Sequence, residues 1–106
     1  MKKERDFSVL SRSKKSAFSK VLGMKMRENH LPHSRFGVVV GLKVHKKAVK
    51  RNLVKRRITE ILRHHLAEIR VGYDFMVLTQ PKSVQTEYAD LEAQVVSCLK
   101  KLGATV

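Results

Sequence analysis

The 106-residue chain has one cysteine, two prolines, no tryptophan and only nine acidic residues. A single cysteine, Cys98, excludes an internal disulfide and a zinc site built from cysteines. No apolar run approaches the roughly 20 residues that a membrane-spanning helix needs. The first residues also lack the apolar centre of a signal peptide. These absences predict a cytoplasmic protein that does not cross a membrane.

The charge of the chain is strongly positive, with 23 Lys and Arg residues and a net charge of +14. Residues 1–65 carry 19 basic and four acidic residues, whereas residues 66–106 carry four basic and five acidic ones. A one-sided positive field attracts polyanions, and nucleic acid is the usual partner for this pattern. An anionic membrane surface is the competing partner.

The hydrophobic pattern predicts one folded domain over residues 1–106, with residues 1–5 flexible. Helices are predicted at 7–10, 49–69 and from a Thr86 cap to Gly103, and strands at 18–27, 36–44 and 74–79. A further short strand is expected before the second helix. The predicted fold is α+β, an α/β two-layer sandwich in which helices pack on a small mixed sheet.

Side-chain periodicity assigns the core faces of these elements. Phe18, Leu22, Met24 and Met26 are predicted to share one side of a strand that bends at Gly23. The helix at 49–69, ended with the help of Gly72, is predicted to bury residues at helical spacing: Val54, Ile58, Ile61, Leu62, His65, Leu66 and Ile69. The run from Phe75 to Leu78 shows no alternation and predicts a buried strand.

The most informative segment is a basic helix. Nine of the 21 residues from Lys43 to Arg63 are basic and only Glu60 is acidic. At about 100° per residue, six of its polar residues fall within roughly 140° of the helix surface. Such a face can bridge successive phosphates and release their counterions. The predicted RNA-binding residues are Lys43, Lys47, Lys50, Arg51, Asn52, Lys55, Arg56, Arg57 and Arg63; the alternative is a merely solvated basic face.

The same segment carries a resemblance to a known family. The run Ala48-Val49-x-Arg51-Asn52-x-x-Lys55-Arg56-x-x-x-Glu60 resembles the signature of the ribonuclease P protein family. The stretches at 35–40, 72–77 and 6–7 resemble the family's flanking motifs in the same order. Leu42 and Val44 replace a usual serine and lysine. Leu53 and Thr59 replace usual arginines.

The resemblance implies an accessory role rather than chemistry by this chain. In the family, a large RNA subunit holds the catalytic magnesium ions and removes the 5′ leader from precursor tRNA. The implied partners are ribonuclease P RNA, in a 1:1 complex with a monomeric protein, and precursor tRNA. No catalytic residue, metal site or cofactor of the protein itself is expected.

The resemblance also implies a fold detail and a second binding site. The helix at 49–69 is expected to lie in a left-handed βαβ crossover. A cleft between the first helix and the sheet is expected to hold the single-stranded leader. Its predicted lining is Phe7, Phe18, Met24 and Phe36, for which ordinary core packing is the alternative.

Other functions are less well supported by the residues. Independent catalysis lacks a motif, because the five histidines show no zinc-binding His–Glu–His spacing. A helix-turn-helix DNA-binding protein would need a short helix where the valine-rich strand at 36–44 is predicted. The stronger alternative is a ribosomal or other structural RNA-binding protein, which composition alone does not distinguish.

Overall fold

The computed structural model describes residues 16–106, a four-stranded sheet with two helices. The strands are β1 (Ser16–Phe18), β2 (Leu22–Glu28), β3 (Arg35–Val39) and β4 (Tyr73–Thr79), and the helices are α1 (Ala48–His64) and α2 (Tyr88–Lys101). Short 3-10 helices lie at Leu66–Glu68 and Pro81–Val84. The predicted helix at 7–10 falls outside the described residues. Within 16–106, no helix is long and apolar enough to cross a membrane.

The strand order of the sheet is β1-β2-β4-β3. β2 pairs antiparallel with both β1 and β4, whereas β3 pairs parallel with β4. Parallel neighbours need a crossover connection, and α1 supplies it between β3 and β4. The mixed sheet and the α+β class are therefore confirmed, and the left-handed sense of the crossover stays a prediction.

One face of the sheet forms the core. Alternating side chains of β2 and β4 turn to this face, among them Met24, Phe75 and Val77, each at most 2% exposed. They pack in one cluster with buried residues of both helices: Val54, Ile58, Ile61 and Leu62 of α1, and Leu91, Val95, Cys98 and Leu99 of α2. Both helices therefore cover the same face. Burial also raises the pKa of the Cys98 thiol, which agrees with a packing role.

The strand predicted at 18–27 is in fact two strands joined by a tight turn. The Ser19 hydroxyl accepts hydrogen bonds from the Val21 and Leu22 amides at 3.2 and 3.3 Å, so the chain reverses after Phe18. Gly23 does not bend the strand. It pairs with Phe18, whose ring would lie 2.7 Å from a Cβ at this position. The short strand of the sheet is consequently the first, not the third.

The long helix predicted at 49–69 ends earlier, at His64. A 3-10 helix follows, and it leaves Leu66 52% exposed while Ile69 is still buried. Gly72 has a positive φ of 89°, but it lies in the turn before β4 and does not end α1. The predicted core position of Leu66 is thus wrong, because the helical register on which it depended stops two residues earlier.

Three smaller predictions also change. β3 ends at Val39, and Val44 is buried in a turn beyond it. In β4, burial alternates, with Met76 and Leu78 only half-buried on the open face of the sheet. The Thr86 hydroxyl donates to the Lys82 carbonyl at 2.7 Å and does not cap α2, whose N-cap is Glu87. Unlike these three, the prediction that Gly103 follows the end of α2 is confirmed, and its positive φ of 71° is typical of a glycine at this position.

Asp74 links neighbouring strands on the open face. Its carboxylate accepts hydrogen bonds from Arg35 Nε and Nη2 at 2.8 and 2.7 Å and from Asn29 Nδ2 at 2.9 Å. Arg27 lies 3.5 Å away. The hydrogen bonds from the Arg35 guanidinium lower the pKa of Asp74 to about 2. Partial burial opposes this shift, and the hydrogen bond from Asn29 adds to it. The ionised carboxylate therefore stabilises the junction of β2, β3 and β4.

Replacing Asp74→Asn should lower the free energy of unfolding at pH 7 by about 2 kcal/mol, from the size of the pKa shift. A depressed pKa in the folded state contributes stability above the unfolded value near 3.8, and this stability is lost as the pH falls towards about 2. Urea unfolding at several pH values measures it. The control Glu28→Gln, whose side chain is 65% exposed at the end of β2, should change stability by less than about 0.5 kcal/mol; equal effects would contradict the assignment.

His65 connects the end of α1 to α2. Its Nδ1 lies 2.9 Å from Glu68 Oε1, and its Nε2 lies 2.8 Å from Glu92 Oε2. The hydrogen bond to Glu68, followed in size by the one to Glu92, raises the pKa of the imidazole. Partial desolvation acts in the opposite direction. Both ring nitrogens donate only in the protonated form, so protonation ties the two helices together.

The contribution of His65 should therefore depend on pH. Because its folded pKa is raised, its stabilisation is complete below the unfolded value of about 6.5 and is lost as the pH rises through the folded value. The stability difference between wild type and His65→Ala should be larger at about pH 5.5 than at about pH 8.5. The control removes the partners: in a Glu68→Gln, Glu92→Gln background the same comparison should show no such trend, because the groups that raise the pKa of His65 are gone.

Candidate nucleic-acid interface

The outer face of α1 carries a continuous set of polar and basic side chains. The buried stripe of the helix fixes its rotation, so residues out of phase with that stripe point to solvent. One shallow depression on this face is bordered by Asn52, Lys55, Arg56, Thr59, Glu60 and Arg63. The structure thus brings together four of the nine predicted RNA-binding residues on one surface, hereafter the outer basic face.

The remaining predicted residues lie at other positions. Lys43 and Lys47 are exposed in the connection that leads into α1, and Lys47 is its N-cap. Lys50 and Arg57 share a helix flank more than about 100° away from Asn52 and Arg56. A ligand that lies along the outer basic face would not reach this second flank without wrapping around the helix.

The basic side chains of α1 form no ion pair within the described chain, and Glu60 is the one acid that shares their face. Among residues 16–106, every ion pair involves Asp74, Glu28, Glu68 or Glu92 as the acid. None of these acids pairs with a Lys or Arg of α1. Cations without carboxylate partners keep their field available to an external polyanion, so this surface suits a chain of phosphates.

Arg51 has a structural task that sequence reasoning missed. Its Nη1 donates to the backbone carbonyls of His45 and Lys46, both at 2.8 Å. The Lys47 amide in turn donates to His45 Nδ1 at 3.0 Å. Arg51 therefore holds the basic connection 45–47 against the first turn of α1. Only part of its guanidinium remains free to meet a phosphate.

Two exposed apolar side chains near the basic residues were also missed. Leu42 is 72% exposed and Val49 is 76% exposed. The sequence offered one signal, since Val49 is out of phase with the buried Val54 and Ile58. Exposed apolar side chains among basic ones offer van der Waals contact to the sugars and bases of a nucleic acid, in addition to the contacts of lysine with its phosphates.

Of the four residues predicted to line a leader cleft, the three that the structure describes do not share one surface. Phe18 is 60% exposed on the open face of the sheet, whereas Met24 is fully buried on the helix face. Phe36 also lies on the helix face, where its ring stacks on Phe75 at a centroid distance of 5.1 Å. Strand alternation thus places Phe18 on the opposite face of the sheet from Met24 and Phe36. Met24 is too buried to line a cleft, and Phe18 and Phe36 do not share one. Phe7 lies outside the described residues.

A groove runs between β3 and α1, along one border of the outer basic face. Its volume is about 270 Å³. The residues that line it are Phe36, Val38, Lys55, Thr59, Leu62, Arg63 and Leu66. Within the described residues, no group of three or more His, Cys, Asp or Glu side chains is arranged to hold a metal ion.

The chain is similar in sequence to proteins of one family. A family model described as Ribonuclease P matches residues 1–103. A ribonuclease P protein component from Clostridium botulinum (strain 657) is 35% identical over 104 residues, which span 97% of this chain and 93% of that protein. One from a Synechocystis species is 33% identical over 89 residues, 83% of this chain and 72% of that protein.

The fold is similar to solved structures with the same description. The RNase P protein from Thermotoga maritima, in complex with 1-(4-fluorophenyl)-2-thiourea, matches with a TM-score of 0.78 and 28% identity, covering 92% of this chain and 94% of that one. The Staphylococcus aureus RNase P protein matches with a TM-score of 0.79 and 25% identity, over 94% and 91% of the two chains.

The Arg51 contacts predict a charge-independent effect. In Arg51→Lys the positive charge remains, but the shorter side chain no longer places a nitrogen at the position from which Nη1 donates to both carbonyls. The Lys47 amide of the free protein should then exchange its hydrogen several-fold faster, as local opening becomes easier. Amide exchange followed by NMR measures this. Arg56→Lys on the exposed face is the control and should leave the Lys47 amide unchanged; equal protection in both variants would contradict the clamp.

Proposed function

The chain belongs to the ribonuclease P protein family, and from this premise we propose that it binds the catalytic RNA of ribonuclease P and the 5′ leader of precursor tRNA. The chain thereby assists the RNA-catalysed, magnesium-dependent removal of that leader. The observation that supports this most directly is the outer basic face of α1, whose cations have no carboxylate partner among the described residues.

The proposed contact with the catalytic RNA follows from charge and rigidity. Lys55 and Arg56 are exposed next to Asn52. The two cations can meet successive phosphates and release counterions, and the Asn52 amide can pair with a base edge or a ribose hydroxyl. Because the other side of α1 is buried in the core, the backbone that carries these groups is already fixed before RNA binds.

The proposed effect on cleavage is electrostatic. Catalytic RNA and precursor tRNA are both polyanions and repel each other. A chain with a net charge of +14 between them screens that repulsion and so tightens substrate binding at low magnesium. In this proposal the magnesium ions belong to the RNA subunit, and no side chain of the protein takes part in bond breaking.

The proposed contact with the leader involves the open face of the sheet. Phe18 is 60% exposed there, and Val39 of β3, on the same face, is 47% exposed. An exposed aromatic ring offers a stacking surface to unpaired bases of any sequence, worth about 1–3 kcal/mol per base. Phe7 stays a candidate for the same contact on the basis of the family motif alone.

Cleavage of precursor tRNA by a bacterial ribonuclease P RNA, with and without this chain, tests the proposal. At low magnesium the chain should restore 5′ cleavage. The double variant Lys55→Ala with Arg56→Ala should lose most of that stimulation. Both side chains are exposed on the helix, so the variant should remain folded. At saturating magnesium the difference should shrink, because divalent ions then screen the repulsion.

The matched control removes the same charge elsewhere. Lys82→Ala with Lys100→Ala takes two exposed lysines that lie outside α1, and it should keep nearly full stimulation. No stimulation by the folded wild-type chain would contradict the proposal. If that chain still bound structured RNA tightly, a ribosomal or other structural RNA-binding role would replace it.

A further inference from the structure

The groove between β3 and α1 has the shape and chemistry of a binding site that the basic face alone does not explain. We propose that it holds one unpaired nucleobase of the RNA bound along α1, with the phosphate of that nucleotide at its border. The proposal rests on the RNA-binding function above and adds a specific site to it.

The size of the groove limits its occupant. Its volume of about 270 Å³ lies just below the range of roughly 300–1,000 Å³ that is typical of sites for drug-sized ligands. A groove of this size accepts one ring or one side chain at a time, not a folded element. A single flat ring does.

The floor of the groove is apolar and rigid. Phe36 lines it, and the ring of Phe36 is already stacked on Phe75, with an angle of 11° between the two ring planes. Leu62, 3% exposed, anchors the helical side. A ring that is held in place before binding loses little freedom when a base packs on it, and an aromatic surface accepts every base.

The early end of α1 explains the far wall of the groove. Because the helix stops at His64 and a 3-10 helix follows, Leu66 lies at the groove and not in the core. It is 52% exposed, so its side chain is available to a ligand. Thr59, a short residue in the middle of the helical wall, leaves the space open. Its hydroxyl is already bound to the Lys55 carbonyl at 2.8 Å.

The border of the groove decides the class of occupant. Lys55 and Arg63 line both the groove and the outer basic face. No acidic residue of the described chain lines the groove. A ligand with an apolar ring and a negative charge is complementary to this arrangement, and Arg63 can bind a phosphate with two parallel hydrogen bonds. A nucleotide has both parts, and RNA on the adjoining face would supply it.

The first test fills the groove without changing its charge. Thr59→Phe places a ring where the base would lie, and His64→Phe adds a ring to an exposed position of α1 outside the groove. Affinity for ribonuclease P RNA is measured as a function of salt. Thr59→Phe should weaken binding about tenfold, the lower part of the range for one stacked base, whereas His64→Phe should change it less than about twofold.

The salt dependence separates base contact from phosphate contact. A stacked base contributes no counterion release to binding. The slope of log affinity against log salt should therefore stay the same when Thr59→Phe removes the stacking contact. A slope reduced by about one would mean a lost phosphate contact instead. An unchanged affinity in Thr59→Phe would overturn the proposal outright.

A second measurement does not depend on the ribonuclease P assay. The free chain is titrated with a short single-stranded oligouridylate, and the methyl signals of Val38, Leu62 and Leu66 are followed by NMR. These signals should move, and those of the exposed Val71 and Val106 should not. Shifts confined to the basic side chains would show phosphate binding only and would overturn the base site. If wild type failed to stimulate cleavage, this titration would still decide the question of the groove.

Discussion

The structure depends on the burial of one apolar stripe. Val54, Ile58 and Ile61 of α1, each at most 1% exposed, pack into the core shared by the sheet and α2. Burying such side chains is worth about 1.5–3 kcal/mol each, and it sets the rotation of the helix about its axis. Once that rotation is set, Lys55, Arg56 and Arg63, which lie on the helix surface away from the stripe, face solvent. The hydrophobic core thus determines where the positive charge is presented.

The acidic residues complement this arrangement. Asp74 binds Arg35 at the junction of three strands, and Glu68 and Glu92 bind His65 where α1 meets α2. These carboxylates hold the sheet and the helices together at positions away from the outer basic face. Folding therefore uses several of the few negative charges internally and leaves an excess of positive charge on α1, where Glu60 is the single acid. The same fold that stabilises the chain leaves the basic side chains of α1 exposed.

Local and long-range features differed in how far they could be predicted. The core positions Val54, Ile58, Ile61 and Leu62 of α1 were correct because a helix repeats its own spacing, and each repeat is visible in the sequence. Leu66 was wrong because it lies beyond the end of that repeat. The end of α1 was misjudged because no glycine or proline marks it, and because His65 obtains its partner Glu92 from another helix. The hairpin of β1 and β2 was missed because its turn is stabilised by one serine, Ser19. A single serine is a weaker sequence signal for a turn than the apolar residues around it are for one continuous strand.

The sequence by itself determined the charge asymmetry, the apolar stripe and the motif of α1, and with them the class of partner and the family. These properties are local, since each is carried by residues near one another in the chain. Only the tertiary structure decided that Phe18 and Phe36 lie on opposite faces of the sheet, that Arg51 turns back to the 45–47 backbone, and that Leu66 borders a groove. Those facts depend on strand register and on where a helix stops. Both are settled by contacts between residues distant in the sequence, which no local pattern records.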